Sequence, residues 1–106
     1  MLIYGLKNCD TCRKAMRSLP DAKLVDVRAQ GVPADVMGHA FEAFGEALVN
    51  RRSTTWRALT DAQRAEETLV LLSNHPTLMK RPLIAFNDQV FLGWNNEIEA
   101  EVKALS

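Results

Sequence analysis

The sequence predicts an α/β domain: a βαβ unit and a ββα unit sharing a mixed four-stranded sheet, with helices inserted at about residues 33–80. Short strand-like apolar runs occur only near the two ends of the chain, at 2–4 and 23–27 and again at 83–86 and 90–92. Between them the apolar residues recur at helical spacing. No internal repeat or linker-like stretch divides the 106 residues, and a chain of this length buries roughly two-thirds of its unfolded surface, enough for one core without staples. Residues 1–106 therefore read as a single domain with a helical subdomain set into it.

Leu2, Ile3 and Tyr4 form a short buried strand, followed by a loop from Gly5 to Asp10. A helix is expected over 13–19, ended by Pro20-Asp21 because proline cannot continue the hydrogen-bond ladder. The alternation over 23–27 marks a second strand, and a strand–helix–strand order this short implies a parallel pair. Gln30-Gly31 turns the chain. Pro33 suits the first turn of a helix to about Phe44, whose inward face would carry Val36, Met37, Ala40, Phe41 and Phe44 until Gly45 stops it. A short helix is expected over 47–50, then a turn at 56–59 capped by Thr54 or Thr55. Thr60 and Gln63 have the spacing of a capping box. The next helix, 66–74, would turn Leu69, Leu72 and Val70 inward and end at His75-Pro76. Asn87-Asp88-Gln89 joins the last two strands as an antiparallel hairpin, and a helix over 96–105 closes the chain.

Hydrophobic residues make up 47% and charged residues 25%, values that exclude disorder and fibrous structure. Thirteen basic and thirteen acidic residues give zero net charge, so the electrostatic footprint of direct nucleic-acid binding is missing. Uninterrupted apolar stretches, such as 69–72, are far too short to span a bilayer. Met1 leads straight into a strand-like run, with no signal-peptide pattern. The expected location is the cytoplasm, without membrane association.

Cys9 and Cys12 are the only cysteines. A scaffold held by disulfides needs more bridges over longer loops, and a structural zinc site needs four ligands, whereas His39 and His75 stand at no ligand-like spacing. No metal site is expected, and no dinucleotide or P-loop motif is present. Two thiols three residues apart at the start of a helix can close a disulfide within one turn. The helix end and nearby cations bring a thiol down from about 8.5 toward neutrality. Cys9, at the helix entrance, is the expected nucleophile; Cys12, a turn inside, is the expected resolving thiol. Arg13 and Lys14 would raise the local potential. Asn8 would orient the loop through local hydrogen bonds.

Four blocks in order carry a resemblance that covers almost the whole chain: Tyr4-Gly5 before Asn8-Cys9-Asp10-Thr11-Cys12-Arg13, then 50–57, then His75-Pro76 through Lys80-Arg81-Pro82-Leu83, and Gly93-Trp94. The sequence resembles the arsenate-reductase-like (ArsC/Spx/YffB) family of bacteria, most of all its small YffB-type branch. The resemblance implies a thioredoxin-like fold and a glutathione-dependent thiol reductase. It implies glutathione as co-substrate, and glutathione or a protein mixed disulfide as partner; with no cofactor motif in the sequence no bound cofactor is expected, and a monomer is the expected working unit. It also implies a cis-proline at Pro82 beside the cysteines, and Arg81 as an anion ligand suited by its planar fork. Asn8, Arg13, Arg51, Arg52, Arg81 and Pro82 are thus the candidate glutathione or substrate contacts. Arg51 and Arg52 also fit ordinary helix-end arginines. The alternative implied by the Spx branch is a redox-sensing regulator that binds RNA polymerase. Arsenate reduction ranks below both, because of the three arginines that arsenate reductases use only Arg81 is matched directly; Asn50 and Gly93-Trp94 stand at the other two places.

Overall fold

The structure is a computed structural model in which residues 1–105 are described. It falls into two compact units, one made of Met1–Gln30 and the chain from Arg81 onward, the other of Gly31–Lys80.

The first unit holds a four-stranded sheet in the order β2-β1-β3-β4, built from β1 (Leu2–Gly5), β2 (Lys23–Asp26), β3 (Leu83–Phe86) and β4 (Gln89–Leu92). β1 lies parallel to β2 and antiparallel to β3, and β3 and β4 form the antiparallel hairpin. The expected α/β, thioredoxin-like plan with a mixed sheet is therefore present. The registers set Ile3 opposite Ile84 and Ile84 opposite Phe91. Neighbouring strands point paired residues to the same face, so these three side chains form one apolar row. Ala15 of α1 (Asp10–Ser18), Leu19 at its C-cap and Val102 of α7 (Asn96–Leu105) bury themselves against that row, with Met16, Trp94 and Ile98 at its margin. Each large apolar side chain so buried stabilises the fold by about 1.5–3 kcal/mol.

Several boundaries differ from the sequence expectation, each for a local reason. α1 begins at Asp10, one turn before residue 13. Asp10 suits the positive end of a helix and its carboxylate accepts from Arg13, at 2.6 Å, while the Arg13 N–H closes the first turn on the Cys9 carbonyl at 2.9 Å. β2 stops at Asp26, whose carboxylate accepts the N–H groups of Arg28 and Ala29 at 2.8 and 3.2 Å. That turns the chain into α2 (Val27–Gln30), a helical turn that strand alternation did not reveal. The hairpin loop is two residues, not three: Asn87 sits at φ 54°, a left-handed value that asparagine tolerates.

In the second unit, α3 (Ala34–Phe44) buries Met37 and Ala40, with Pro33 at its N-cap and Gly45, at φ 58°, ending it. A 3₁₀ turn over Gly45–Leu48 replaces the short helix expected at 47–50. Val49 and Met79 then pair as an isolated bridge, flanked by Asn50 N–H to Leu78 O at 2.9 Å and Lys80 N–H to Leu48 O at 2.7 Å. α4 (Thr54–Ala58) is capped by Ser53, whose hydroxyl accepts the Trp56 N–H, rather than by either threonine. α5 (Asp61–Arg64) carries the expected capping box of Thr60 and Gln63. α6 runs over Thr68–Asn74 and buries Leu71 and Leu72, leaving Leu69 and Val70 at 40% and 44% exposure. Four consecutive apolar residues exceed what one helix face can cover, so the helix phase, not composition, decides which pair turns inward. His75 caps its end, and Pro76–Leu78 adds a 3₁₀ turn. Among the described residues no helix is long and apolar enough to cross a membrane.

Ile84 lies at the centre of the apolar row and is fully buried. Ile84→Ala should cost about 2–5 kcal/mol in urea unfolding, whereas Leu69→Ala should stay within about 0.5 kcal/mol, as expected of an exposed position.

Candidate active site

β1 delivers the chain to a loop over residues 6–9 that is tightened by a hydrogen bond from the Cys9 N–H to the Leu6 carbonyl, 3.2 Å. Cys9 takes the N-cap of α1 with extended backbone, φ −93° and ψ 119°. Its thiol is half-buried at the end of the helix where the backbone partial charge is positive. Cys12 stands in the first turn and is 1% exposed. Both thiols are free.

The third member arrives from far along the chain. Because β3 pairs antiparallel to β1 with Leu83 opposite Tyr4, the segment entering β3 lies beside the segment leaving β1. Arg81 is thereby brought to Cys9, where its charge and a guanidinium hydrogen bond both favour the thiolate. The Arg81–Pro82 bond is cis, as the resemblance implied. Pro82 is buried, and its carbonyl accepts the Gly93 N–H at 2.8 Å, which ties the end of β4 to the start of β3.

The two sulfurs are driven apart in acidity. Partial burial opposes charge on Cys9, but the Cys12 thiol hydrogen bond, the Cys12 backbone N–H and Arg81 together outweigh it and hold Cys9 below the usual 9.0. For Cys12 burial acts first, the hydrogen bond to Cys9 acts in the same direction, and the thiol is pushed up to about 12. When the pair gives up one proton, the one that remains resides on the inner sulfur. The outer sulfur is the readier nucleophile; the inner one is a donor.

The remaining sequence candidates occupy different surroundings. Asn8 is exposed on the loop. Arg13 shares its charge with Asp10 on the exposed face of α1, and the cation that acts on Cys9 is Arg81. Arg51 and Arg52 belong to the second unit, in the turn between the 3₁₀ segment and α4. There Asn50 Oδ1 accepts the Arg52 N–H at 3.0 Å, Arg51 faces Glu46 at 3.9 Å, and Arg51 lies 5.5 Å above the Trp56 ring. Arg64 covers the same ring at 5.3 Å and donates to the Trp56 carbonyl. Among the described residues, no three His, Cys, Asp or Glu side chains gather to hold a metal ion. One neighbour escaped sequence reasoning: Gly5 backs the Cys12 sulfur, and a Cβ there would overlap it. Gly5 was expected in the loop, but β1 runs through it; the available signal was a glycine directly after an apolar strand with no turn residue beside it.

The model of the ArsC family matches residues 4–102. An uncharacterized protein of Haemophilus influenzae is 38% identical over 104 residues, spanning 90% of this chain and 91% of that protein. Among solved structures, the YffB protein superposes with a TM-score of 0.83 at 27% identity over 99% of this chain and 98% of its own. An arsenate reductase (ArsC) related protein from Brucella melitensis gives 0.66 at 28% identity, over 97% and 91% of the two chains.

Removing the guanidinium should weaken the hold on the thiolate: Arg81→Met should move the pH profile of Cys9 alkylation upward, toward that of a free thiol, and Arg13→Met should move it much less. The same shifts link to stability. Because folding lowers the Cys9 pKa, its contribution grows as pH rises from its folded value toward 9.0. Because folding raises that of Cys12, its contribution is present below the unfolded value and is lost between there and about 12. The melting-point difference between wild type and Cys9→Ser should therefore widen from neutral pH to about pH 9.

Proposed function

The chain belongs to the ArsC family, and within it we propose that the protein is a glutathione-dependent thiol–disulfide reductase, with Cys9 as nucleophile and Cys12 as resolving thiol. The observation that carries this is the division of labour between the sulfurs: an accessible outer one held below 9.0 and a buried inner one raised to about 12. A merely structural cysteine pair has no need of it.

In the cycle, the Cys9 thiolate attacks one sulfur of a mixed disulfide between glutathione and a protein or small thiol. The Cys9–glutathione disulfide forms, the substrate's S–S bond breaks, and its sulfur leaves as thiolate and takes a proton. The adduct is then opened in one of two ways. A second glutathione attacks the glutathione sulfur, giving glutathione disulfide and free Cys9. Alternatively Cys12 gives up its proton and attacks Cys9, releasing glutathione and leaving a Cys9–Cys12 disulfide that two further glutathiones reduce. Both routes balance, with glutathione oxidised and substrate reduced, and both suit a reducing compartment. Arg81 would stabilise the attacking thiolate and then face the negative carboxylates of glutathione, whose planar groups match its fork. Arsenate reduction is less well supported, since only Arg81 corresponds directly to the three anion ligands of arsenate reductases.

The test is turnover. With a glutathionylated peptide as substrate and excess glutathione, wild type should release peptide thiol catalytically, with a rate rising through the Cys9 pKa, and Cys9→Ser should fall to the uncatalysed rate. Intact mass should find glutathione on Cys9 in Cys12→Ser. Stoichiometric reaction without turnover, together with oxidation-dependent binding to RNA polymerase, would move the assignment to a redox regulator.

A further inference from the structure

β1 ends in Gly5, paired with Asp26 of β2, and a glycine weakens a strand unless something requires its missing side chain. Backbone conformation does not require it. The glycines with positive φ are Gly31, Gly45 and Gly93, and Gly5 is not among them. Space does. A Cβ at Gly5 would overlap the Cys12 sulfur and come within 3.3 Å of the Cys12 Cβ, while its other neighbour, Leu24 Cδ1, stands at an ordinary 3.7 Å. Gly38, by contrast, has nothing within 4 Å of such an atom.

We propose that Gly5 is a positioning residue of the thiol pair: by carrying no side chain it leaves the seat in which the Cys12 sulfur rests, and so fixes the Cys12 S–H on Cys9. Cysteine has a single side-chain torsion, and Cys12 sits in the first turn of α1 with almost no exposed surface. Any atom added at Gly5 can be accommodated at low cost only by turning Cys12 about χ1. That is the torsion that aims its S–H. The overlap is therefore relieved by withdrawing the hydrogen bond that favours the Cys9 thiolate. Tyr4-Gly5, conspicuous in the sequence only as part of a resemblance, thus acts on the nucleophile through one intervening sulfur. This is a statement about the same pair as the proposed reductase, but it concerns the thiolate alone.

The experiment is the pH profile of Cys9 alkylation by iodoacetamide in wild type, Gly5→Ala, Cys12→Ala, Cys12→Ser and Gly5→Ala/Cys12→Ala, with melting curves alongside. Gly5→Ala should shift the profile to higher pH and slow alkylation at pH 6 severalfold. Cys12→Ala should do the same, and Cys12→Ser, which keeps a donor, should lie between it and wild type. Adding Gly5→Ala to Cys12→Ala should change the profile no further, and the double variant should melt above Gly5→Ala because the overlap is gone. A folded Gly5→Ala with a wild-type profile would overturn the proposal, as would an equal shift in the Cys12→Ala background. If Gly5→Ala does not fold, a wild-type profile in Cys12→Ala, or a double variant that also fails to fold, overturns it. Alkylation requires no turnover, so an intact wild-type profile without reductase activity would remove the proposed function and leave this inference standing.

Discussion

The antiparallel register that sets Leu83 opposite Tyr4 is the constraint on which the candidate site depends. A strand pair running in opposite directions brings the exit of one strand to the entrance of the other. The loop that leaves β1 carries Cys9, and the segment that enters β3 carries Arg81 and Pro82, although the two are separated by most of the chain. A slip of one residue would turn Ile3 and Ile84 away from the helices that cover them, so the same apolar row that stabilises the sheet also holds the cation beside the thiol. Core packing and the geometry of the thiol site are in this sense one property of the first unit.

Given that placement, the chemistry follows from unequal burial. Two thiols with similar intrinsic acidity share a hydrogen bond, and the one with less water around it keeps the proton. Cys12 lies against the strand and Cys9 at the helix end, so the inner sulfur becomes the donor and the outer one the nucleophile. The helix N-terminus and Arg81 act in the same direction. Arg13, although next to the motif in sequence, is engaged by Asp10 and spends its charge on the helix surface. Proximity in sequence is therefore a poorer guide to the electrostatics than the sheet register.

The same contrast marks what was legible in the sequence. Strands 2–4 and 83–86, the final helix and the Thr60 capping box were readable because apolar runs bounded by turn signals, and side chains that bond their own backbone, are local physics. The closeness of the two thiols was readable because three residues at a helix start fall within one turn. The helix start at Asp10 was missed because the Asp10–Arg13 pair and the first-turn bond were not weighed against the loop. Leu72 of α6 is buried as expected, but Leu71 was passed over for Leu69 and Val70 because four consecutive apolar residues fit more than one phase. Arg81 could be tied to Cys9 only through family resemblance, since its approach depends on strand order. Gly5 was visible but carried no role until the Cys12 sulfur was found against it.

A direct test of the central claim is a titration of the two thiols individually by NMR, following the ¹³Cβ shifts of Cys9 and Cys12 in protein labelled at cysteine. The account predicts two well-separated transitions, Cys9 below 9.0 and Cys12 unchanged until the approach to about 12. Two overlapping transitions near the value of a free thiol would contradict it, because the sulfurs would then share no proton and the outer one would hold no special reactivity.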